Sequence, residues 1–405
     1  MHVFFVSTFG HLFHALRLIE LKKYKNEDVV FFILTSDRQL AANIKLKLRE
    51  LNFRKVEKQI TWMPLYRMQP LISLRQKVLE IVEKYNPKTF NSCVFEIFYG
   101  VIGDIAREKN IKTVLYEEGL GSYKFLYNPS SSMVREMLNG LIVSGKFLFT
   151  NTFSNITQTT KAIKNLIVKT FKKNTKLLFV STPKLFLKSL SLENQNKIRR
   201  LIYPKRYRST TKPVLNYDEV YLTYPSKVKS IFHARKYKKL PLKYEITQIE
   251  KEEISKSNYK KINDKSVIFV NQRYISDYEK HFDFVLDYLT KDTNQNVFIK
   301  LHPRENNDSV RILKRLIKEK GLGNVSILDN KVLIPLEKVI QLKKPQKIVG
   351  FASSVLLYTK TISPKTEIIS CVPEYINQFK SQSEFKKELD KIWTHYQILK
   401  ETVGS

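Results

Sequence analysis

The sequence predicts an α/β protein with two parallel-sheet halves, and three observations carry that expectation. Short β-branched and aromatic runs alternate with amphipathic stretches of helical length, the pattern of repeated βαβ units. The alternation occurs in two series, separated by Gly145–Tyr217, a stretch rich in Lys, Arg, Ser, Thr and Asn with Glu193 as its one acidic residue. Finally, 405 residues with 42% hydrophobic and 27% charged content suit two or three globular cores and exclude disordered, collagen-like and disulfide-dense classes.

In the first series, His2–Ser7 reads as a strand that leads through Thr8-Phe9-Gly10-His11 into a helix near Leu12–Lys23. Val29–Thr35 is the next strand, followed by a helix over Asp37–Leu51 and a strand over Val56–Thr61. A helix around Leu71–Tyr85, a strand at Ser92–Ile97, a helix around Gly100–Lys109 and a strand at Lys112–Glu117 complete this half. The second series has strands at Val267–Arg273, Asn296–His302, Asn324–Asp329, Lys347–Ala352 and Thr366–Cys371, with helical patterns such as Asp308–Lys320 between them. Ser381–Glu401 reads as a closing helix. The expected division is an N-terminal Rossmann-like domain over 1–240, with 145–240 as its basic segment, a C-terminal Rossmann-like domain over 241–375, and a helical segment over 376–405 that packs back toward the N-terminal domain.

Charge narrows the partners. Lys and Arg number 71 against 38 Asp and Glu, a formal net charge of +33, which draws polyanions or anionic membrane surfaces. Cys93 and Cys371 lie far apart without metal-ligand spacing, so a reducing cytosol is the expected compartment. No apolar stretch reaches the ~18–20 residues of a membrane span, and the first residues lack the basic region of a signal peptide. A cytoplasmic location is expected, with peripheral attachment to the inner face of an anionic membrane left open.

In open parallel sheets, ligands bind beyond the carboxyl ends of the strands. That rule selects Glu117-Glu118-Gly119, Asn271-Gln272-Arg273, His302-Pro303-Arg304 and Ser353-Ser354. An acidic pair at a strand end offers a carboxylate base, or else a surface pair neutralised by lysine; strand alternation points the two side chains to opposite sides. His302 is fixed by Pro303 and can donate a proton to a leaving oxygen, with Arg304 and Lys300 adding charge, or it is satisfied by backbone at a strand end. Ser353-Ser354 either caps a helix or combines its hydroxyls with helix N-terminal amides as a phosphate site. The basic runs Lys197-Ile198-Arg199-Arg200, Lys205-Arg206-Tyr207-Arg208 and Arg235-Lys236-Tyr237-Lys238-Lys239 either track a polyanion or form a solvated face. The chain contains no Asp-x-Asp pair, no G-x-x-x-x-G-K-[ST] and no G-x-G-x-x-G, so no metal site is expected, and kinase and dehydrogenase readings fall.

Several of these motifs occur in a familiar order. Tyr116-Glu117-Glu118-Gly119-Leu120-Gly121-Ser122-Tyr123, Ile268-Phe269-Val270-Asn271-Gln272-Arg273-Tyr274, Phe298-Ile299-Lys300-Leu301-His302-Pro303 and Gly350-Phe351-Ala352-Ser353-Ser354-Val355-Leu356-Leu357-Tyr358 resemble the ordered motifs of bacterial capsular polysialyltransferases. Ile231-Phe232-His233-Ala234-Arg235-Lys236-Tyr237 and Ser363-Pro364-Lys365-Thr366 add to the resemblance.

The resemblance implies a GT-B-type fold whose two Rossmann-like domains face a central cleft, with the acceptor on the N-terminal domain and CMP-sialic acid on the C-terminal one. It implies inverting, metal-independent transfer of sialic acid to the non-reducing end of a growing polysialic acid chain for capsule synthesis. No cofactor is then expected. Glu118 resembles the general base, with Glu117 in reserve and placed on the acceptor side. His302 resembles the acid or electrostatic partner of the CMP phosphate, and Ser353 and Ser354 resemble its hydroxyl ligands. Gln272, Arg273 and Pro303 fall on the donor side, while Lys300, Arg304, Arg199, Arg200, Lys205 and Arg206 fall on the acceptor side. Association with the inner membrane and the capsule export machinery is also implied. The competing readings are a sialyltransferase that adds one sugar to a lipooligosaccharide or glycan, and a nucleic-acid-binding protein, although no nucleic acid is expected as a partner.

Overall fold

Strand β1 (His2–Val6) founds a seven-stranded sheet because its side chains are apolar on both faces, as are those of β2 (Val29–Thr35) beside it. A computed structural model of the chain describes residues 1–60, 69–94, 98–127, 214–272, 277–291, 295–302, 305, 307–329 and 334–403. The sheet continues with β3 (Val56–Ile60), β4 (Thr89–Ser92), β5 (Lys112–Tyr116), β6 (Asn216–Leu222) and β7 (His233–Lys239), in the order β3-β2-β1-β4-β5-β6-β7. Helices α1 (Phe9–Lys22), α2 (Arg38–Glu50), α3 (Gln69–Tyr85) and α4 (Phe98–Glu108) make the crossovers. Thr8 starts α1, its hydroxyl accepting the His11 N–H at 3.2 Å. In the core, Phe5 meets Phe32 and Phe90 edge-on, with ring centroids 5.6 and 5.3 Å apart.

The second sheet repeats this plan with β8 (Val267–Val270), β9 (Val297–Lys300), β10 (Val325–Ile327), β11 (Lys347–Gly350) and β12 (Glu367–Ser370), all parallel and ordered β10-β9-β8-β11-β12. Both sheets therefore contain the Rossmann order 3-2-1-4-5, with a switch point between the first and fourth strands of each. These are the two Rossmann-like α/β halves that the sequence predicts. The helices of this half are α5 (Gln248–Lys256), α6 (Tyr278–Thr290), α7 (Asn307–Glu319), α8 (Leu336–Lys343), α9 (Ser354–Ile362), α10 (Val372–Phe379) and α11 (Lys386–Val403). Phe351 sets the core of one face, edge-on to Phe269 at 5.8 Å and to Tyr375 at 5.0 Å. A capping box of Thr247 and Glu250 opens α5, and the same Glu250 carboxylate holds the buried Lys338 ammonium of α8 with two 2.7 Å contacts.

Two local expectations change. The strand expected at Ser92–Ile97 forms earlier, at Thr89–Ser92, because Asn86 ends α3 in the left-handed region (φ 42°) and Pro87 restarts extended chain. Asn91 disguises that strand in the sequence, yet it is fully buried and donates to Val3 O at 3.0 Å. The run Arg235-Lys236-Tyr237-Lys238-Lys239 lies in β7, the outermost strand of the first sheet. Its charged side chains discourage a further strand from pairing there.

The compact units do not separate at one point in the chain. One holds Met1–Tyr116 with 214–221 and Phe232–Lys238; the other holds 117–127, Leu222–Ile231 and the residues from Lys239 onward. The Glu117-Glu118-Gly119 turn, assigned by sequence to the N-terminal domain, thus folds into the second unit, where Leu120 and Tyr123 are buried. Helix α11 belongs to this unit as well and packs on the 3-10 turn Leu120–Leu126. Among the described residues, no helix is long and apolar enough to cross a membrane.

Candidate functional site

The site is built at the carboxyl end of the second sheet. There β8 runs into Asn271 and Gln272, β9 into His302, and β11 into Ser353, and the three strands are neighbours. Gln272, placed by sequence on the donor side, spends its amide on Ala352: its oxygen accepts the Ala352 N–H at 2.7 Å and its NH₂ donates to the Ala352 carbonyl at 2.9 Å. This amide pair extends the β8–β11 ladder past the last strand residue and braces the turn that presents Ser353.

Ser353 is buried and caps α9, its hydroxyl oxygen accepting the Val355 N–H at 3.2 Å. The Ser354 oxygen accepts the backbone N–H of Leu120 at 3.0 Å, from the acidic turn 234 residues earlier in the chain. Each hydroxyl uses a lone pair in these bonds and keeps its proton for another acceptor. The capping reading holds for Ser353, and Ser354 stands beside it as the first residue of α9.

Glycine at 119 makes the approach possible. Its φ is +118°, and a Cβ there would sit 2.5 Å from Ser354 Oγ. Gly121 serves the acid itself, since a Cβ at that position would lie 2.6 Å from Glu118 Oε2 and 2.8 Å from its Cδ. The Glu118 carboxylate therefore folds back over Gly121, while its backbone N–H donates to Ser122 Oγ at 2.8 Å.

The two acidic residues follow directly on β5, which ends at Tyr116, and differ in burial. Glu118 is half-buried, whereas Glu117 is fully buried. Glu117 Oε2 accepts the Thr223 N–H at 2.7 Å and the Tyr123 hydroxyl at 2.9 Å, and Oε1 accepts the Gly119 N–H at 3.3 Å. Burial raises its pKa and these donors oppose the rise. The acceptor-side placement of Glu117 is corrected here: with no exposed surface and three internal donors, its carboxylate has no face for a sugar.

His302 is half-buried, directly after the buried Leu301, and its carbonyl accepts the Glu305 N–H at 3.0 Å. Lys300, two residues earlier, lies with its ammonium 5.8 Å from the Tyr259 ring centre. Burial lowers its pKa to about 8, with Asp329 pulling in the opposite direction. Arg273, Pro303, Arg304, Arg199, Arg200, Lys205 and Arg206 lie outside the described residues.

Sequence reasoning gave His281 no role, yet it is fully buried and bonds Asn271 Oδ1 at 2.8 Å, while Asn271 Nδ2 donates to Glu305 Oε1 at 3.2 Å. Burial lowers the His281 pKa to about 4, so the ring is neutral at physiological pH. Tyr123, Thr223 and Tyr224 were equally silent, because their importance arises only when distant segments meet. Among the described residues, no cluster of three or more His, Cys, Asp or Glu side chains is suited to holding a metal ion.

Comparison with solved structures finds similar chains at low identity. UDP-GlcNAc 2-epimerase from Neisseria meningitidis bound to UDP-GlcNAc matches with a TM-score of 0.44 and 12% identity over 99% of this chain and 96% of that one. UDP-N-acetylglucosamine 2-epimerase from Rickettsia bellii matches at 0.47 and 12% over 99% and 95%. Sucrose-phosphate synthase from Thermosynechococcus elongatus matches at 0.45 and 10% over 99% and 94%. Likeness at this level carries no functional argument, and the fold reading rests on the chain's own strand orders. Comparison with curated proteins gives no match. The family model for alpha-2,8-polysialyltransferase (POLYST), in contrast, matches residues 2–372, which contain every strand and the whole of the carboxyl-end site. The chain belongs to the alpha-2,8-polysialyltransferase family and is a glycosyltransferase of the sialyl-transferring kind.

Proposed function

We propose that the protein is an inverting polysialyltransferase that uses CMP-sialic acid to extend polysialic acid, with Glu118 as its base. The observation that carries this reading is the Leu120 N–H to Ser354 Oγ bond, which fastens the Glu118 turn to the N-terminal end of α9. A proton acceptor and an anion-receiving helix end thereby share one unit, and those are the two tasks of sialyl transfer.

In the proposed reaction, an acceptor hydroxyl of the terminal sialic acid attacks the anomeric carbon on the face opposite the phosphate. The new C–O bond forms as the C–O bond to phosphate breaks, and CMP leaves with that electron pair. Glu118 takes the hydroxyl proton. The departing phosphate is met by the α9 amides, by the hydroxyl protons of Ser353 and Ser354, and by His302 as proton donor or charge partner. No step calls for a metal. The net charge of +33 supports many weak, salt-screened contacts to a polymer with one carboxylate per sugar, and it supports docking on an anionic inner leaflet during capsule synthesis.

The test follows CMP release and product length from CMP-sialic acid with a labelled sialic acid oligomer, with and without chelator. A ladder well past the primer that chelator leaves unchanged supports the proposal. One added sugar identifies a single-addition sialyltransferase, and absence of CMP release overturns the reading.

A further inference from the structure

Residues around the Glu118 turn form a hydrogen-bonded circuit. Glu117 Oε2 accepts the Tyr123 hydroxyl at 2.9 Å, and that hydroxyl oxygen accepts the Tyr224 N–H at 3.0 Å. The Tyr224 hydroxyl reaches α9, where it lies 3.2 Å from Thr361 Oγ1 and 3.4 Å from the Leu357 carbonyl. At the other end of α9, Ser354 Oγ receives the Leu120 N–H, and Gly119 N–H returns to Glu117 at 3.3 Å. The acidic turn is thus tied to the first residue of α9 by Ser354 and to its far end by Tyr224. Seven residues of helix, ~10 Å, separate the two ties.

We infer that Glu117 and Tyr123 are positioning residues that fix where Glu118 stands relative to α9, and so govern transfer to the polymer more than cleavage of the donor. This inference rests on the proposed role of Glu118. Glu117 cannot itself meet the acceptor, because it is fully buried. All three of its partners are donors, which suits a group that presents two acceptor oxygens; a glutamine would set its NH₂ against a backbone N–H. Tyr123 is buried with no exposed surface, and its hydroxyl both gives and takes a bond, so a phenylalanine keeps the packing and opens the circuit at one point.

The two outcomes of the donor separate this role from mere support. When water attacks the anomeric carbon, the C–O bond to phosphate breaks and a proton is lost to solvent; water needs no fixed register with a base. The sugar hydroxyl does, because a shift of ~1 Å in the base costs it much of the advantage of alignment.

The experiment measures primer extension and donor hydrolysis, read as CMP release with and without sialic acid oligomer, for wild type, Tyr123→Phe, Tyr224→Phe and Glu117→Gln. Tyr123→Phe should lower kcat for extension ~10-fold or more, with hydrolysis within ~2-fold and the KM for CMP-sialic acid unchanged. Tyr224→Phe, which removes one hydroxyl and its two contacts with α9, should shift the same ratio by less. Equal loss of extension and hydrolysis in the folded variants, or loss of neither, overturns the inference. If Tyr123→Phe or Glu117→Gln fails to fold, the Tyr224→Phe ratio decides. If the wild type itself neither releases CMP nor extends the primer, the polysialyltransferase reading has failed instead.

Discussion

The carboxylate of Glu117 accepts the backbone N–H of Thr223 at 2.7 Å across 106 residues of chain. That bond joins the turn after β5 to the crossover after β6, beside the helix proposed to receive the CMP phosphate. Burial and hydrogen bonding hold Glu117 in place, and the proposed base, Glu118, is the next residue.

Glu118→Gln should lower kcat for sialyl transfer by ~10²–10⁴-fold, the usual contribution of a positioned base, while CMP affinity by calorimetry stays within ~2-fold. Activity near wild type would move the base elsewhere.

Gly121→Ala places a methyl group only 2.6 Å from Glu118 Oε2, without a positive φ to strain the backbone. The carboxylate must swing aside. Primer extension should fall ~10-fold or more with little change in melting temperature. Gly119→Ala differs, since φ is +118° and Ser354 Oγ stands 2.5 Å from the new atom. It should cost ~1–3 kcal/mol of stability as well, visible in urea titrations.

His302→Ala should reduce kcat ~10²-fold or more in both primer extension and donor hydrolysis, because both break the same bond to phosphate. A substitution that spared hydrolysis would place His302 with the acceptor.

Lys300 is a cation at pH 7 whose pKa burial lowers to about 8, so its charge fades as pH rises through that value. The KM for sialic acid oligomer should rise between about pH 7 and 9, and Lys300→Arg should flatten the profile. The stability effect has the opposite sense. The depressed folded value means the cation opposes folding, and this cost is relieved as pH rises from about 8 toward the unfolded value of ~10.4.

Three buried histidines predict acid sensitivity. Burial lowers His11 and His281 to about 4 and His14 to about 3, against ~6.5 in the unfolded chain. The unfolded chain takes up protons first, so stability present above pH ~6.5 is lost as pH falls toward 4. Melting temperature against pH should show this, with a shallower slope in His281→Gln.

The strands and carboxyl-end residues were legible because a β-branched, two-face-buried strand such as Val29–Thr35 advertises itself in composition. Asn91 and the Arg-Lys-Tyr-Lys-Lys run of β7 hid their strands, one by a buried polar side chain and the other by edge charges. Glu118, His302, Ser353 and Ser354 followed from strand ends and from the family resemblance. The bracing by Gln272, the caging of Glu117 and the Asn271–His281–Glu305 chain could not be read, since each depends on segments far apart in sequence meeting in space.

The interleaving of the two units along the chain also bears on how the protein must fold. The second unit contains 117–127 and Leu222–Ile231, and the Leu120–Ser354 bond closes a loop of 234 residues. A fragment beginning at Lys239 would lack the acidic turn, the Tyr123 and Tyr224 links and part of the packing surface for α11. Contacts of such long range are late and slow to form, so on the ribosome this unit stays unfinished until almost the whole polypeptide has emerged.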